Sequence, residues 1–237
     1  GYTNITVAFI PVLVLPSIAI LLFQRIAPKP ISWQGTSKTW EGVKEGVQFV
    51  WKQKALLSAM SLDMFAVLFG GAVALLPAFA NDILKVGPQG LGWLVAATYI
   101  GNFIALAWFT KRPLKKKQGK ALLIVVAGFG LCILIFALSH NFWLSFFALL
   151  ASGLFDGVSM IVRGTIVQLF VPDEMRGRVS AVNSMFINSS NELGQFESGV
   201  AATAMGLIPS VIFGGCMTLL IAGITWFKSP TLRKFEY

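Results

Sequence analysis

Apolar residues in this chain run in blocks long enough to cross a lipid bilayer, and polar residues gather in the short intervals between them. A hydrocarbon core of about 30 Å needs about 20 residues of helix. Seven blocks approach that length: residues 5–23, 55–79, 86–110, 121–138, 142–171, 179–205 and 210–227. Each is predicted to be a transmembrane helix, so the expected fold class is an all-α integral membrane protein with seven transmembrane helices. Pro11 and Pro16 should kink the first block. The third is uncharged and carries Trp93 and Trp108 toward its ends, as interfacial aromatics do. A tight Ser139-His140-Asn141 turn separates the fourth from the fifth, and the sixth is the most polar.

Five ionisable side chains interrupt these blocks: Asp63, Asp156, Arg163, Glu192 and Glu197. A charge at the bilayer centre costs at least about 2.5–3.5 kcal/mol, so it persists where it faces a bundle interior or an aqueous path. Asp156 and Arg163 lie seven residues apart. That spacing puts them on one stripe of a helix, with about 10 Å between their backbones, so they share a face without forming a tight pair. Arg163 should therefore meet a carboxylate on another helix, Glu192 or Asp63, either to fix helix packing or to face a substrate. In the sixth block Ser184, Asn188, Asn191, Glu192 and Gln195 recur at helical intervals, a polar face set against Phe186, Ile187 and Leu193. That face either lines a cavity or supplies hydrogen bonds between helices. Glu197 points about 140° away from Glu192. Coupling to protons requires a carboxyl that can hold and release one, and an acid without a cationic neighbour is the better carrier. Asp63 and Glu192 are the candidates.

Composition sharpens this picture by exclusion. The chain is 56% hydrophobic and 12% charged, with mean hydropathy +0.75, which no soluble domain of this size requires. Cys132 and Cys216 both lie in apolar runs, and His140 stands alone, so neither a disulfide framework nor a metal site is expected, and no cofactor. There is no HExxH and no GxSxG, so the protein is not expected to be an enzyme. The net charge of +9 comes from short basic clusters between apolar blocks, which suits anionic lipid headgroups rather than nucleic acid. All Lys and Arg residues except Lys85 and Arg163 fall on one side of the predicted topology. By the positive-inside rule that side is cytoplasmic, so a multi-pass protein of the cell inner (plasma) membrane with a cytoplasmic C-terminus is expected.

Seven spans with that orientation put the N-terminus outside, and residue 1 is Gly. The chain is therefore expected to be N-terminally truncated, its first span being the last helix of a missing upstream half. Between the first two spans, Trp40, Val43, Val47, Val50 and Trp51 recur at helical spacing, with Lys38, Lys44, Glu45 and Lys52 on much of the other surface. This predicts either an amphipathic helix on the membrane surface or an ordinary solvated helix packed on the cytoplasmic loops.

Several stretches carry a family resemblance: DMFAVLFGGAVALLPAF from Asp63, VGPQGLG at 86–92, PDEMRGRVSAVNSMFINSSNELGQFESG at 172–199, and EGVKEGVQFVWKQ at 41–53. In this order they resemble the major facilitator superfamily, in its bacterial exporter branch of enterobactin-exporter-like and macrolide-efflux-like proteins. The resemblance implies a 12-helix transporter of two six-helix halves, each of two inverted three-helix repeats, with substrate held between the halves. Residues 1–27 would then be the sixth helix, 28–54 a cytoplasmic amphipathic connector, and 55–237 the C-terminal half with a short tail. Opposite entry directions of spans two to four and five to seven are compatible with such a repeat. The implied function is secondary active, proton-coupled export of small amphipathic molecules such as siderophores or drugs. Its partners would be the small-molecule substrate, protons, membrane lipids and the missing N-terminal half. The expected substrate and proton pathway is Asp63, Asp156, Arg163, Asn188, Asn191, Glu192, Gln195 and Glu197. Asp173, Glu174, Arg176 and Arg178 form the expected cytoplasmic gate loop. The loop TKRPLKKKQGK at 110–120 lacks the acidic member of the superfamily's gating motif, so no salt-bridge latch is expected there. The alternatives are a channel, or a non-transporting membrane subunit acting as a structural partner.

Overall fold

The computed structural model describes residues 14, 16–25, 39–112, 114 and 117–236. The chain divides into two units, residues 1–37 and 38–237. In the first unit residue 14 and residues 16–23 are helical, and most of the predicted first span and connector start, including Pro11, lies outside the described residues.

The second unit is helical from end to end. A short helix α1 (Thr39–Lys52) leads into α2 (Lys54–Phe69) and α3 (Ala72–Ala78), the latter continued by a wide π turn at Phe79–Ile83. Then follow α4 (Gly87–Lys111), α5 (Gln118–Leu138), α6 (Phe142–Phe170), α7 (Arg176–Met205), α8 (Leu207–Lys228) and the short α9 (Pro230–Arg233). Five helical stretches among the described residues are long and apolar enough to cross a membrane: Lys54–Ile83, Gly87–Lys111, Gln118–Leu138, Phe142–Phe170 and Leu207–Lys228. These account for five of the seven expected spans; most of the first expected span lies outside the described residues. At 30 residues α7 is long enough to cross, but its Ser, Asn, Gln and Glu residues make it too polar to qualify by composition.

The predicted second span is interrupted at Gly70-Gly71, between α2 and α3. A Cβ at Gly70 would lie 2.8 Å from the Phe129 ring, and one at Gly71 would lie 2.7 Å from the Ser198 hydroxyl. The chain can pass there because it carries no side chain. The same device joins α4 to α6, the most extensive helix pairing in the fold. A Cβ at Gly101 would sit 2.0 Å from the Leu150 carbonyl oxygen, and one at Gly153 would sit 1.9 Å from that of Thr98. Small residues thus let two backbones touch, which is how helices gain contact where lipid removes the hydrophobic drive.

Around α6 the other helices fall into place: α5 packs between α6 and α8, while α2 packs on α7 and α8. Asn141 caps α6, its Oδ1 accepting from the amides of Trp143 at 2.8 Å and Leu144 at 3.4 Å, so the predicted turn is also the helix start. Two apolar clusters hold the bundle. One gathers Val50, Leu56, Leu122, Val162, Val179 and Leu232 at the end bearing α1 and α9. The other gathers Leu76, Phe79, Leu94, Phe136, Leu149 and Val211 at the opposite end, with Phe79 and Phe136 ring centroids 4.4 Å apart. Trp93, Tyr99, Phe103 and Trp108 of α4 face outward.

Candidate functional site

The functional candidates separate into a largely buried cluster on α2, α4 and α6 and an exposed face of α7. In the cluster, Arg163 of α6 donates through Nη1 to Oδ2 of Asp63 on α2. Of the two partners open to Arg163 from the sequence, the structure selects Asp63 and leaves Glu192 exposed on α7. Two turns earlier on α6, Asp156 accepts a hydrogen bond from Nδ2 of Asn102 on α4 at 3.2 Å. One helix thus reaches α2 through a cation and α4 through an anion. Asp63, a candidate proton carrier from the sequence and one of the two acids open to Arg163, has that guanidinium as its partner. Asp156 is held by a neutral amide.

Beside these groups lies a cavity of about 20 Å³, walled by Asp63, Ala66 and Val67 of α2, Val125, Val126 and Phe129 of α5, and Phe155, Asp156 and Ser159 of α6. Ser159 Oγ, on its wall, has no hydrogen-bond partner among the described residues, and neither do the buried atoms Arg163 Nε, Asn102 Oδ1 and Thr98 Oγ1 on the same helix and on α4. Sequence reasoning missed Thr98, Asn102 and Ser159. The signal was present, since Thr98 and Asn102 are polar residues at helical spacing in an uncharged span, and Ser159 falls on the stripe from Asp156 to Arg163.

On α7 the buried positions Val179, Val182, Ser190, Gly194, Ser198 and Ala201 form one stripe toward the bundle. Ser184, Asn188, Asn191, Glu192 and Gln195 are exposed on another side, and Met185, Leu193, Phe196 and Val200 on a third. Glu197 is half-buried, on the bundle side rather than with Glu192. The structure therefore brings Asp63, Asp156 and Arg163 together and leaves Asn188, Asn191, Glu192, Gln195 and Glu197 outside that cluster.

At the basic end, the segment 172–178 folds as a single 3-10 turn, Asp173–Met175, running into α7. Arg176 pairs with Asp173 at 3.0 Å within the segment, and Glu174 is exposed. Arg178 reaches Glu45 of α1 at 2.5 Å. A Cβ at Gly46 would lie 2.9 Å from the Arg178 carbonyl oxygen, so α1 rests directly on the start of α7. Parts of the basic loop at 110–120 lie outside the described residues. Among the described residues there is no group of three or more His, Cys, Asp or Glu that could hold a metal ion.

An all-helical bundle with buried charges inside apolar helices matches known proteins over most of its length: the family model of the Major Facilitator Superfamily covers residues 1–195. The chain belongs to the major facilitator superfamily. Membership and the five apolar helices together make it a multi-pass membrane protein. Within the superfamily it is similar to the "Multidrug efflux pump Tap" of Mycolicibacterium fortuitum, 23% identical over 203 residues, covering 85% of this chain and 49% of that protein. The protein of the same name from Mycobacterium tuberculosis (strain ATCC 25618 / H37Rv) is 21% identical over 197 residues, 82% of this chain and 46% of its own. The "Uncharacterized MFS-type transporter YfmI" of Bacillus subtilis (strain 168) is 21% identical over 240 residues, 99% of this chain and 58% of its own. The chain thus spans about half the length of the curated relatives it matches. No solved structure matches.

Proposed function

We infer that this chain forms one half of a secondary active, proton-coupled exporter of small amphipathic molecules, drugs or siderophores among them. The observation that carries this reading is the cluster of buried Asp63 with partly buried Arg163, Asp156 and Asn102, spread over three helices of a membrane bundle. Intramembrane charges are costly, and they persist where they serve an ion or substrate pathway. The exposed polar face of α7, from Ser184 to Gln195, then borders an aqueous crevice shared with a second transporter half, with substrate between the two. The basic end faces the cytoplasm in this reading, following the positive-inside rule. Contact of Arg178 with Glu45 closes that end as part of a gate built from Asp173, Glu174, Arg176 and Arg178. Similarity to proteins named multidrug efflux pumps supports outward transport and a broad amphipathic substrate class.

The test uses inverted membrane vesicles from cells producing the protein from its native gene. A fluorescent amphipathic cation should accumulate when the lumen is made acidic, and a protonophore should abolish the accumulation. Asp156→Asn should remove the dependence on the gradient. Accumulation indifferent to the proton gradient would overturn the coupling, and ion current without accumulation would point to a channel.

A further inference from the structure

We propose that the cavity between Asp63, Asp156 and Ser159 holds one ordered water through which the two carboxyl groups share a single exchangeable proton. A cavity holds a water when it exceeds about 10–15 Å³ and offers two to four polar partners. This one measures about 20 Å³ and offers three, the Asp63 and Asp156 carboxyls and the Ser159 hydroxyl, the remaining wall being apolar. Ser159 is only 4% exposed, lines this space, and its hydroxyl has no partner among the described residues. A buried hydroxyl without a hydrogen bond is destabilising, and a water in this space satisfies it.

Charge balance supplies the proton. With both acids ionised, the cluster carries two negative charges against the one positive charge of Arg163, and Asn102 adds none. The α5 wall consists of Val125, Val126 and Phe129, so no further ionisable side chain from that helix lines the space. An uncompensated charge inside the bundle is expensive, and one bound proton brings the two acids and Arg163 together to net zero. A hard metal cation is a poorer fit, because such ions take six or more oxygen ligands and the wall presents three groups.

Transfer is balanced. The Asp156 carboxyl gives its proton to the water oxygen, and the water gives one of its own to Asp63. Asp156 is left ionised, Asp63 neutral and the water restored. Because Asp63 is the partner of Arg163, a proton arriving there removes the negative charge that ties α2 to α6. A proton leaving restores it. Ser159 is a positioning residue that orients the water. This deepens the coupling site and rests on the carrier reading only for its consequence in transport.

Difference infrared spectroscopy of the purified full chain in lipid nanodiscs, between acid and neutral pH in H2O and D2O, tests it. One protonated-carboxyl band should titrate and shift in D2O, disappear in both Asp63→Asn and Asp156→Asn, and move in frequency in Ser159→Ala, the mildest change. Circular dichroism melting identifies any variant that fails to fold, and Ser159→Ala then decides. Two bands, each lost in one variant alone, would overturn the shared proton. An unmoved band in Ser159→Ala would overturn the bridging water. Replacing choline chloride with sodium chloride should change nothing, and loss of the band in sodium would make this a cation site instead. Transport without the shared band removes this inference and leaves the carrier reading standing, whereas the band without transport does the reverse.

Discussion

Arg163 on α6 grips Asp63 on α2 across one hundred residues of sequence, with side chains only 14% and 9% exposed respectively. A buried pair of this kind adds little net stability over an apolar replacement, because desolvation consumes the Coulomb gain, but losing one member strands the other. Arg163→Ala should therefore lower unfolding stability by about 3–5 kcal/mol. The double change Asp63→Asn with Arg163→Gln should recover most of that. Denaturant unfolding in detergent, followed by circular dichroism, measures both. Equal losses in the single and double variants would mean that the pair is not what joins α2 to α6.

Glycine placement makes a second test. At Gly153 a Cβ would meet the Thr98 carbonyl oxygen at 1.9 Å, and a backbone atom cannot swing aside as a side chain can. Gly153→Ala should cost about 1–3 kcal/mol by overpacking, and Gly153→Leu should prevent stable assembly of α4 on α6. Gly164, on the same helix, has nothing within 4 Å of its would-be Cβ. Gly164→Ala should be neutral or stabilising by up to about 1 kcal/mol, since Ala is the better helix former. Thermal unfolding of the matched variants, with size-exclusion monodispersity, separates packing from mere loss of glycine.

Glu45 and Arg178 stand differently, with side chains 48% and 32% exposed. Partly solvated pairs contribute about 0–1 kcal/mol. Glu45→Lys should hardly move the melting temperature, yet it places like charge against Arg178 and should loosen α1 from α7. The charge swap Glu45→Arg with Arg178→Glu should restore the contact. Proteolysis near residues 39–52, timed at low and high salt, reports it, and cleavage rates identical in all variants would remove the pair as the tether.

What could be read from sequence alone was whatever obeyed one helical period. Apolar block length located α4, α5, α6 and α8 to within a few residues, because a bilayer-length apolar run has few alternatives to a helix. Single-helix geometry also fixed that Asp156 and Arg163 do not pair, leaving Arg163 to find Asp63 elsewhere. Relations between helices were not legible. That Asn102 of α4 meets Asp156, that Ser159 opens on a cavity, and that Gly70-Gly71 breaks a span all depend on which neighbour lies opposite, which periodicity does not encode. For α7 the polar stripe was legible as the most polar block, and that polarity keeps the helix out of the set qualifying by apolarity alone.

Trp40 and Trp51 lie about three turns apart on α1, nearly in line, and are 78% and 69% exposed, with Lys44 close to that stripe. Two outward indoles beside a lysine suit the headgroup region of an anionic membrane. In nanodiscs containing brominated lipid, Trp40→Phe and Trp51→Phe should each remove quenchable fluorescence. Raising the anionic lipid fraction should strengthen quenching in the parent protein. A quenched fraction unchanged in both variants would place α1 in water, away from the lipid.

The three-way division of α7 gives the most direct view of where water enters. If its polar face borders an aqueous crevice, single cysteines at Asn188, Asn191, Glu192 and Gln195 should react with a membrane-impermeant maleimide. Cysteines at Leu193, Phe196 and Val200, exposed on a different side, should not, because a thiol in apolar surroundings resists forming the reactive thiolate. The background must first lose Cys216, which is itself exposed, and Cys132. In intact membranes the two sets should differ by at least about tenfold in labelling rate. Equal rates would mean that the polar face of α7 borders no more water than the apolar one, and faster labelling of the apolar set would put the crevice against Phe196.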